Sequence, residues 1–270
     1  MTNRLITRAD CLELCRRVGV RPGMSVMFHC SLRGLGYLVN GPFDLIDALV
    51  EAVGPDGTLL MPAHSGQLTD PADWRNPPVP AEWVDVIRRE MAPFDPAMTP
   101  IRGRGIVPEW FLRRDGARRS HHPLNSTAAL GARAEFFTRD HPLHAPEGPG
   151  SPCHKLYRAG GHVLLLGVGL ATCTALHVAE HLADCPYLKD SAVKVLVRGE
   201  GGANRFVRLE SYPESSDGFV KLRPELLAAD YLVETVFGED YPVALLSLAP
   251  AVDLAVSKLK MNPTYFHDDT

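Results

Sequence analysis

Residues 24–62 run strand, glycine loop, helix, turn, strand, and that order commits the chain to a parallel strand pair with a helix laid across it. The segment MSVMFHC (24–30) is β-type and apolar, and SLRGLGYLVNG follows as a loop. Pro42 opens a helix whose apolar face carries Phe43, Ile46, Leu49, Val50 and Val53. Gly54 stops it, and the turn GPDG leads into TLLMP (58–62). The fold class expected is therefore α/β.

The rest of the chain supports one domain over 1–270, because 270 residues with 45 % hydrophobic content can bury a sizeable core. A first helix is expected over 7–17, capped by Thr7 and closed by Gly19. HVLLLGV (162–168) reads as a buried strand and 174–183 as the helix after it. Ser151-Pro152 is a helix start, and 107–114 and 247–260 are helical. Residues 192–198 and 205–209 flank GEGGAN and suggest a hairpin. Residues 64–106 differ: they are proline-rich, with one helix near 82–91, and so long a loop-like stretch reads as a lid.

The net charge of −4 and pI near 6.3 leave no basic stripe for nucleic acid and no Lys/Arg cluster for a membrane surface. No run approaches a membrane span, and the N-terminal residues lack a signal peptide, so cytoplasm is the expected location. Six scattered cysteines without a CxxC pair read as reduced thiols rather than a disulfide frame or zinc site.

Chemistry concentrates in three places. The helix after HVLLLGV puts Ala175, Val178, Ala179 and Leu182 on one face and His177, Glu180, His181 and Asp184 on the other. From spacing alone the second face is a solvated helix surface. Its position after a central strand nevertheless brings His177 to the sheet edge where ligands bind, as a proton acceptor near neutral pH. The string H-x-x-E-H also fits a zinc pattern, but no third ligand stands out. In the loop after the first strand, Ser31, Leu32, Arg33, Gly34 and Gly36 offer backbone N–H groups and a positive charge to a phosphate, without a P-loop GKS/T or a full GxGxxG. RRSHHPLNS (118–126) gathers phosphate-compatible donors, with a polar surface loop as the plain alternative.

The chain resembles the aminoglycoside 3-N-acetyltransferase family. Five stretches carry the resemblance in family order: 29–62, 94–111, 118–131, 148–169 and TALHVAEH (174–181). It implies a three-layer α/β/α fold specific to the family and different from the GNAT fold. It also implies acetyl-CoA as donor, no metal, and an aminoglycoside amine as acceptor, with no nucleic acid or membrane partner. Oligomeric state stays open between monomer and dimer. Carried over by position, His177 resembles the catalytic histidine and Ser31, Leu32, Arg33 and Gly34 the pyrophosphate loop. Thr99, Gly105 and Ile106 fall along the pantetheine arm, and Arg118, Ser120 and His122 near the nucleotide end. One departure is Cys173-Thr174, where many members carry Asn-Thr. Residues 204–240 match less well, so drug specificity does not carry over.

The resemblance implies direct transfer, with His177 taking the amine's proton and a carboxylate orienting its other nitrogen. Glu180, Glu210 and Asp217 are the candidates, and sequence does not choose among them. His64, Asp70, Asp73, Glu82 and Asp85, in or beside the proline-rich segment, are expected to meet the cationic drug. A cysteine nucleophile at Cys30 or Cys153 beside His29 or His154 is the covalent alternative. The rival readings of function are a related enzyme acting on a non-antibiotic amine and a non-catalytic drug or CoA binder.

Overall fold

The computed structural model describes residues 4–199, 203–210 and 215–267, so the GEGGAN turn lies partly outside the described residues. A two-stranded parallel sheet of β1 (Leu5–Ile6) and β3 (Tyr37–Leu38) sits beside α1 (Arg8–Val18). Thr7 and Asp10 close a capping box on α1, and Gly19 ends it in the left-handed region at φ 111°. β2 (Ser25–Cys30), α2 (Pro42–Val53) and β4 (Thr58–Pro62) form the expected crossover, with Val26 opposite Leu59 in parallel register. The buried face of α2 is shifted from the expected one: Leu45, Ile46, Ala48, Leu49 and Val53 are buried, and Val50 is exposed.

The chain continues through α3 (Val84–Glu90), α4 (Val107–Leu112), β5 (Arg118–Arg119), β6 (Thr127–Gly131), α5 (Ala134–Thr138) and α6 (Pro152–Arg158). It then runs through β7 (His162–Leu166), α7 (His177–Leu182), α8 (Pro186–Asp190) and the antiparallel hairpin β8 (Ala192–Arg198) and β9 (Asn204–Glu210). α9 (Arg223–Ala228), β10 (Leu232–Phe237), β11 (Tyr241–Ser247) and α10 (Leu248–Met261) complete it. The main sheet has seven strands in the order β10-β11-β7-β2-β4-β6-β5. Its centre, β7-β2-β4, is parallel, and the strands outside are antiparallel.

Strand alternation divides the core into two layers. Met27, Leu60, Val163 and Leu165 face α6, α7 and α10, while Val26, Phe28, Leu59 and Leu166 face α1, α2 and α4. β2 is buried on both faces, as an inner parallel strand must be. This is the three-layer α/β/α arrangement. Among the described residues no helix is long and apolar enough to cross a membrane.

Two features depart from the sequence expectations. Strands β5–β6 and β10–β11 were not anticipated. β10 is half exposed and Pro242 interrupts the apolar run of β11, although its carbonyl still accepts from Gly167 N at 2.8 Å. The helix expected over 174–183 begins with a 3₁₀ turn, Thr174–Leu176, and is α-helical only over α7. Residues 64–106, read as lid-like, pack against β8 and β9. Asp70 N bonds Lys194 O at 3.0 Å, Asn204 Nδ2 bonds Met91 O at 3.2 Å, and Leu68, Phe94, Leu124, Val195 and Leu209 form a small core beneath them.

Candidate active site

Three chain crossings at the carboxyl edge of β7 and β2 build the site. Ser31 N donates to Leu166 O at 2.8 Å, and the Tyr241 hydroxyl donates to Ser31 O at 2.8 Å. Gly167 lies against both, at φ 66°, where a Cβ would stand 2.5 Å from the Tyr241 ring and 2.8 Å from Ser31 O. Only glycine fits that crossing. A cleft of about 420 Å³ opens there, lined by His29, Cys30, Ser31, Leu32, Met61, Arg104, Gly105, Ile106, Val168 and Thr172.

Thr172 leads through the 3₁₀ turn into α7, where His177 and Glu180 are buried while His181 is half-buried and Asp184, past the helix end, is exposed. His177 is 9 % exposed and Glu180 0 %. The 3₁₀ segment Asp217–Leu222 covers them: the Phe219 ring meets the His177 ring edge-on at 4.8 Å. His177 Nδ1 hydrogen-bonds Glu180 Oε2. The Tyr187 hydroxyl donates to Glu180 Oε1 at 2.6 Å, and His267 Nε2 lies 3.7 Å from the same oxygen. Burial pushes Glu180 up, but the hydrogen bond and charge of His177, with Tyr187, outweigh it and hold the carboxyl below its ordinary value. Burial and the Glu180 charge push Tyr187 up, so it stays a donor. His177 Nε2 has no partner among the described residues and is the nitrogen left for a substrate.

Glu180 is thus the carboxylate that meets His177. Glu210 and Asp217 are exposed at their positions, and the hydrogen bonds at Glu210 run through its backbone, to His144 and Ala145. No group of three His, Cys, Asp or Glu side chains gathers as metal ligands among the described residues. The cysteine alternative fares poorly: burial pushes the Cys30 thiol up to about 12 and the Cys153 thiol well above its ordinary value, which removes the thiolate a nucleophile needs. Cys173 is sealed and pushed up to about 12 by burial, so the family's polar side chain there has no equivalent.

Of the cofactor candidates, Ser31, Leu32, Gly105 and Ile106 line the cleft. Arg33 is exposed beside them. The Ser31 N–H is engaged by the strand ladder, and Arg33 N bonds Ser31 Oγ at 3.3 Å, so the loop presents the Leu32 N–H and the Arg33 side chain. Gly34 sits at φ 87°, turning the loop back. Thr99 is used internally: its hydroxyl accepts from Asp95 N at 2.8 Å. Ser120 and His122 lie inside the protein with their polar atoms engaged. Both are 0 % exposed; Ser120 Oγ bonds His141 and Thr127 N, and the His122 ring nitrogens serve Leu143 O, Leu124 N and Asn125 N. They brace the 118–127 turn. Arg118 is exposed and pairs with Glu135 at 3.4 Å.

Among the substrate candidates, His64 is buried and its Nδ1 accepts from Arg104 Nη2 at 2.6 Å. Burial and the Arg104 charge hold its pKa well below normal. Asp70 is 3 % exposed and takes Arg88 in a two-pronged pair at 2.9 and 2.8 Å. Its carboxylate closes the 64–106 segment internally. Asp73, Glu82 and Asp85 remain exposed.

Sequence reasoning missed Arg119, Tyr187, Asn125 and Glu147. Arg119 clamps the Thr99, Ala63, Ser65 and Ser126 oxygens at 2.5–3.4 Å and stacks 4.9 Å from Phe94. Its place in RRSHHPLNS was the available signal. Glu147 belongs to no spacing pattern, because Asn125 comes from a distant segment, and Tyr187 reaches Glu180 from the next helix, α8.

Comparison with known proteins fits this geometry. The sequence model of aminoglycoside 3-N-acetyltransferases matches residues 27–260. The chain belongs to that family. It is 37 % identical over 239 residues, 83 % of this chain and 81 % of the other, to aminoglycoside N(3)-acetyltransferase VII of Streptomyces paromomycinus. The crystal structure of the YokD protein from Bacillus subtilis superposes with a TM-score of 0.89 at 32 % identity, covering 97 % and 96 % of the two chains. A binary complex of AAC-IIIb with CoASH gives a TM-score of 0.80 at 35 % identity over 96 % and 97 %.

Proposed function

We propose that this chain transfers the acetyl group of acetyl-CoA to the 3-amino group of an aminoglycoside by direct attack, with His177 as general base. The buried His177–Glu180 pair, which begins five residues after Thr172 of the cleft, carries this reading. Glu180 fixes the ring through Nδ1 and stabilises the imidazolium that forms when Nε2 takes the amine proton. Its anion is itself held by Tyr187. A thioester needs no further activation, so the work falls on the amine.

The cleft between the Ser31 loop and Gly105-Ile106 suits the pantetheine arm of the donor, with Arg33 at its mouth for a phosphate. The Leu32 N–H is the backbone donor available to the developing oxyanion, and one good donor contributes roughly 2.7–4 kcal/mol. The exposed acids Asp73, Glu82 and Asp85 suit a polycation. The family's solved CoASH complex supports the choice of donor.

The test is thiol release from acetyl-CoA with a panel of aminoglycosides and of simple metabolic amines. Turnover confined to the aminoglycosides, and a fall of about 10²–10⁴-fold in kcat for His177→Gln, is the expected result. Burst-phase acetylation of the protein would refute direct transfer, and preference for the simple amines would refute the acceptor.

A further inference from the structure

Four polar side chains that the base mechanism leaves unused converge beneath the cleft. Met27, Leu60 and Ala129 lie on the α7 side of the sheet. Two-residue steps along the strands lead from them to His29, His64 and Asn125 on the same side. The ladder continues that far, since Ala63 N bonds Ser126 O and Ser65 N bonds Leu124 O, which sets His64 opposite Asn125. Asn125 Nδ2 donates to Glu147 Oε1 at 3.0 Å. The remaining atoms, His29 Nε2, His64 Nε2, Asn125 Oδ1 and Glu147 Oε2, are buried without a hydrogen-bond partner among the described residues. Arginine donates to His64 Nδ1, so the His64 proton is on Nε2. A buried donor thus stands near two buried acceptors, a setting that ordered water or a mobile proton satisfies.

The stoichiometry of the proposed reaction asks for such a group. An aminoglycoside amine arrives as an ammonium and leaves as an amide, so its nitrogen loses two protons. His177 has one nitrogen to offer, because Nδ1 is held by Glu180. It can hold only one of the two protons within a single ternary complex.

We propose that Glu147 is the second proton acceptor, receiving the ammonium's first proton through water held between Glu147 Oε2, Asn125 Oδ1 and His64 Nε2. The inference rests on the acetyl-transfer reading given above. The ammonium and the Glu147 carboxylate become a neutral amine and a carboxylic acid. The amine nitrogen then forms its bond to the acetyl carbonyl carbon while His177 Nε2 takes the second proton. The carbon–sulfur bond breaks, and His177 returns its proton to the sulfur as the free thiol. Glu147 releases its proton to solvent before the next turnover, so one proton leaves per acetyl group transferred.

The surroundings of Glu147 suit a group that gains and loses a proton near neutrality. Burial is the main cause of an upward displacement to about 7, opposed by the neighbouring Cys153 thiol, the Asn125 hydrogen bond and the charges of His177 and Arg104. The other titratable groups at this loop are His141, whose Nε2 donates to Pro146 O, and His181, packed on Gly148. Burial keeps both imidazoles neutral, with pKa values of about 3 and about 4.

The pH dependence of kcat/KM for Glu147→Gln separates this role from a structural one. With the carboxylate gone, only the free amine reacts. The variant should be at least 10-fold slower at pH 7, gain with unit slope as pH rises, and approach the wild type near the amine's own pKa. An acceptor whose amine is already neutral at pH 7 should erase the difference. A uniform loss at every pH, or an equal loss with both acceptors, would overturn the proposal. If Glu147→Gln does not fold, Asn125→Ala serves. Losing its hydrogen bond should move the acidic limb to higher pH, and an unmoved limb refutes the role. If the wild type itself transfers no acetyl group, or His177→Gln keeps full activity, the underlying functional reading fails instead.

Discussion

Glu180 stands three residues beyond His177 on α7 and bonds its Nδ1 from inside the core, with no exposure to solvent. An i, i+3 pair places both side chains on one helix face, and the cover of Phe219 turns that face from a surface into a site. Glu180→Gln should therefore act on kcat more than on KM. A fall of roughly 10²-fold or more is expected, with the melting temperature little changed, because glutamine can still accept from Tyr187. Steady-state kinetics checks it, and an unchanged kcat would remove Glu180 from the mechanism.

Arg119 holds the 64–106 segment to the sheet, since its guanidinium reaches oxygens on residues 63, 65, 99 and 126. Burial lowers its pKa to about 10, still charged at neutral pH. Arg119→Met strands several buried acceptors at about 1–3 kcal/mol each. Urea unfolding should show a loss of at least that size for one acceptor, and a midpoint equal to wild type would contradict the clamp.

Asp70 and Asp73 should separate cleanly. Asp70→Asn removes the buried carboxylate from the pair with Arg88 and lowers stability, because it leaves the guanidinium only the exposed Asp85 as an anion. Asp73→Asn, at an exposed position, should leave the melting temperature alone and raise KM for polycationic acceptors. Aminoglycoside KM values that ignore Asp73 and Glu82 alike would mean the acids serve only solubility.

Stability should fall as pH drops from 6.5 towards 4. Burial lowers His29 and His141 to about 3 and His122 and His181 to about 4, and His64 moves the same way. In that window the unfolded chain binds protons that the folded chain refuses, so each imidazole's contribution is full above the unfolded value of about 6.5 and is lost below it. Glu147 runs oppositely, because its raised pKa lets the folded state hold an extra proton between about 4.5 and 7. Several imidazoles outweigh one carboxyl. Melting temperatures measured from pH 7.5 to 5 should decline, and a flat series would count against neutral buried histidines.

The difference between His122 and His177 shows where sequence reading stops. Both stood in polar-rich strings, and both are buried. His122 spends Nδ1 on backbone N–H groups of its own turn and Nε2 on Leu143 O, whereas His177 keeps Nε2 open. No spacing rule distinguishes them, because the distinction is which atoms already have partners. Asp70 and Asp73 differ for the same reason.

The local order of residues was enough to establish the βαβ crossover and the Thr7 and Ser151 caps. These depend on helix and strand periods and on backbone geometry, which act over a few residues. Folding in three dimensions selected Glu180 over Glu210 and Asp217, packed the proline-rich segment against β8, and brought Glu147 beside Asn125. Those outcomes depend on burial and on partners far apart in the chain, and a side chain's chemistry follows from which of its atoms water can no longer reach.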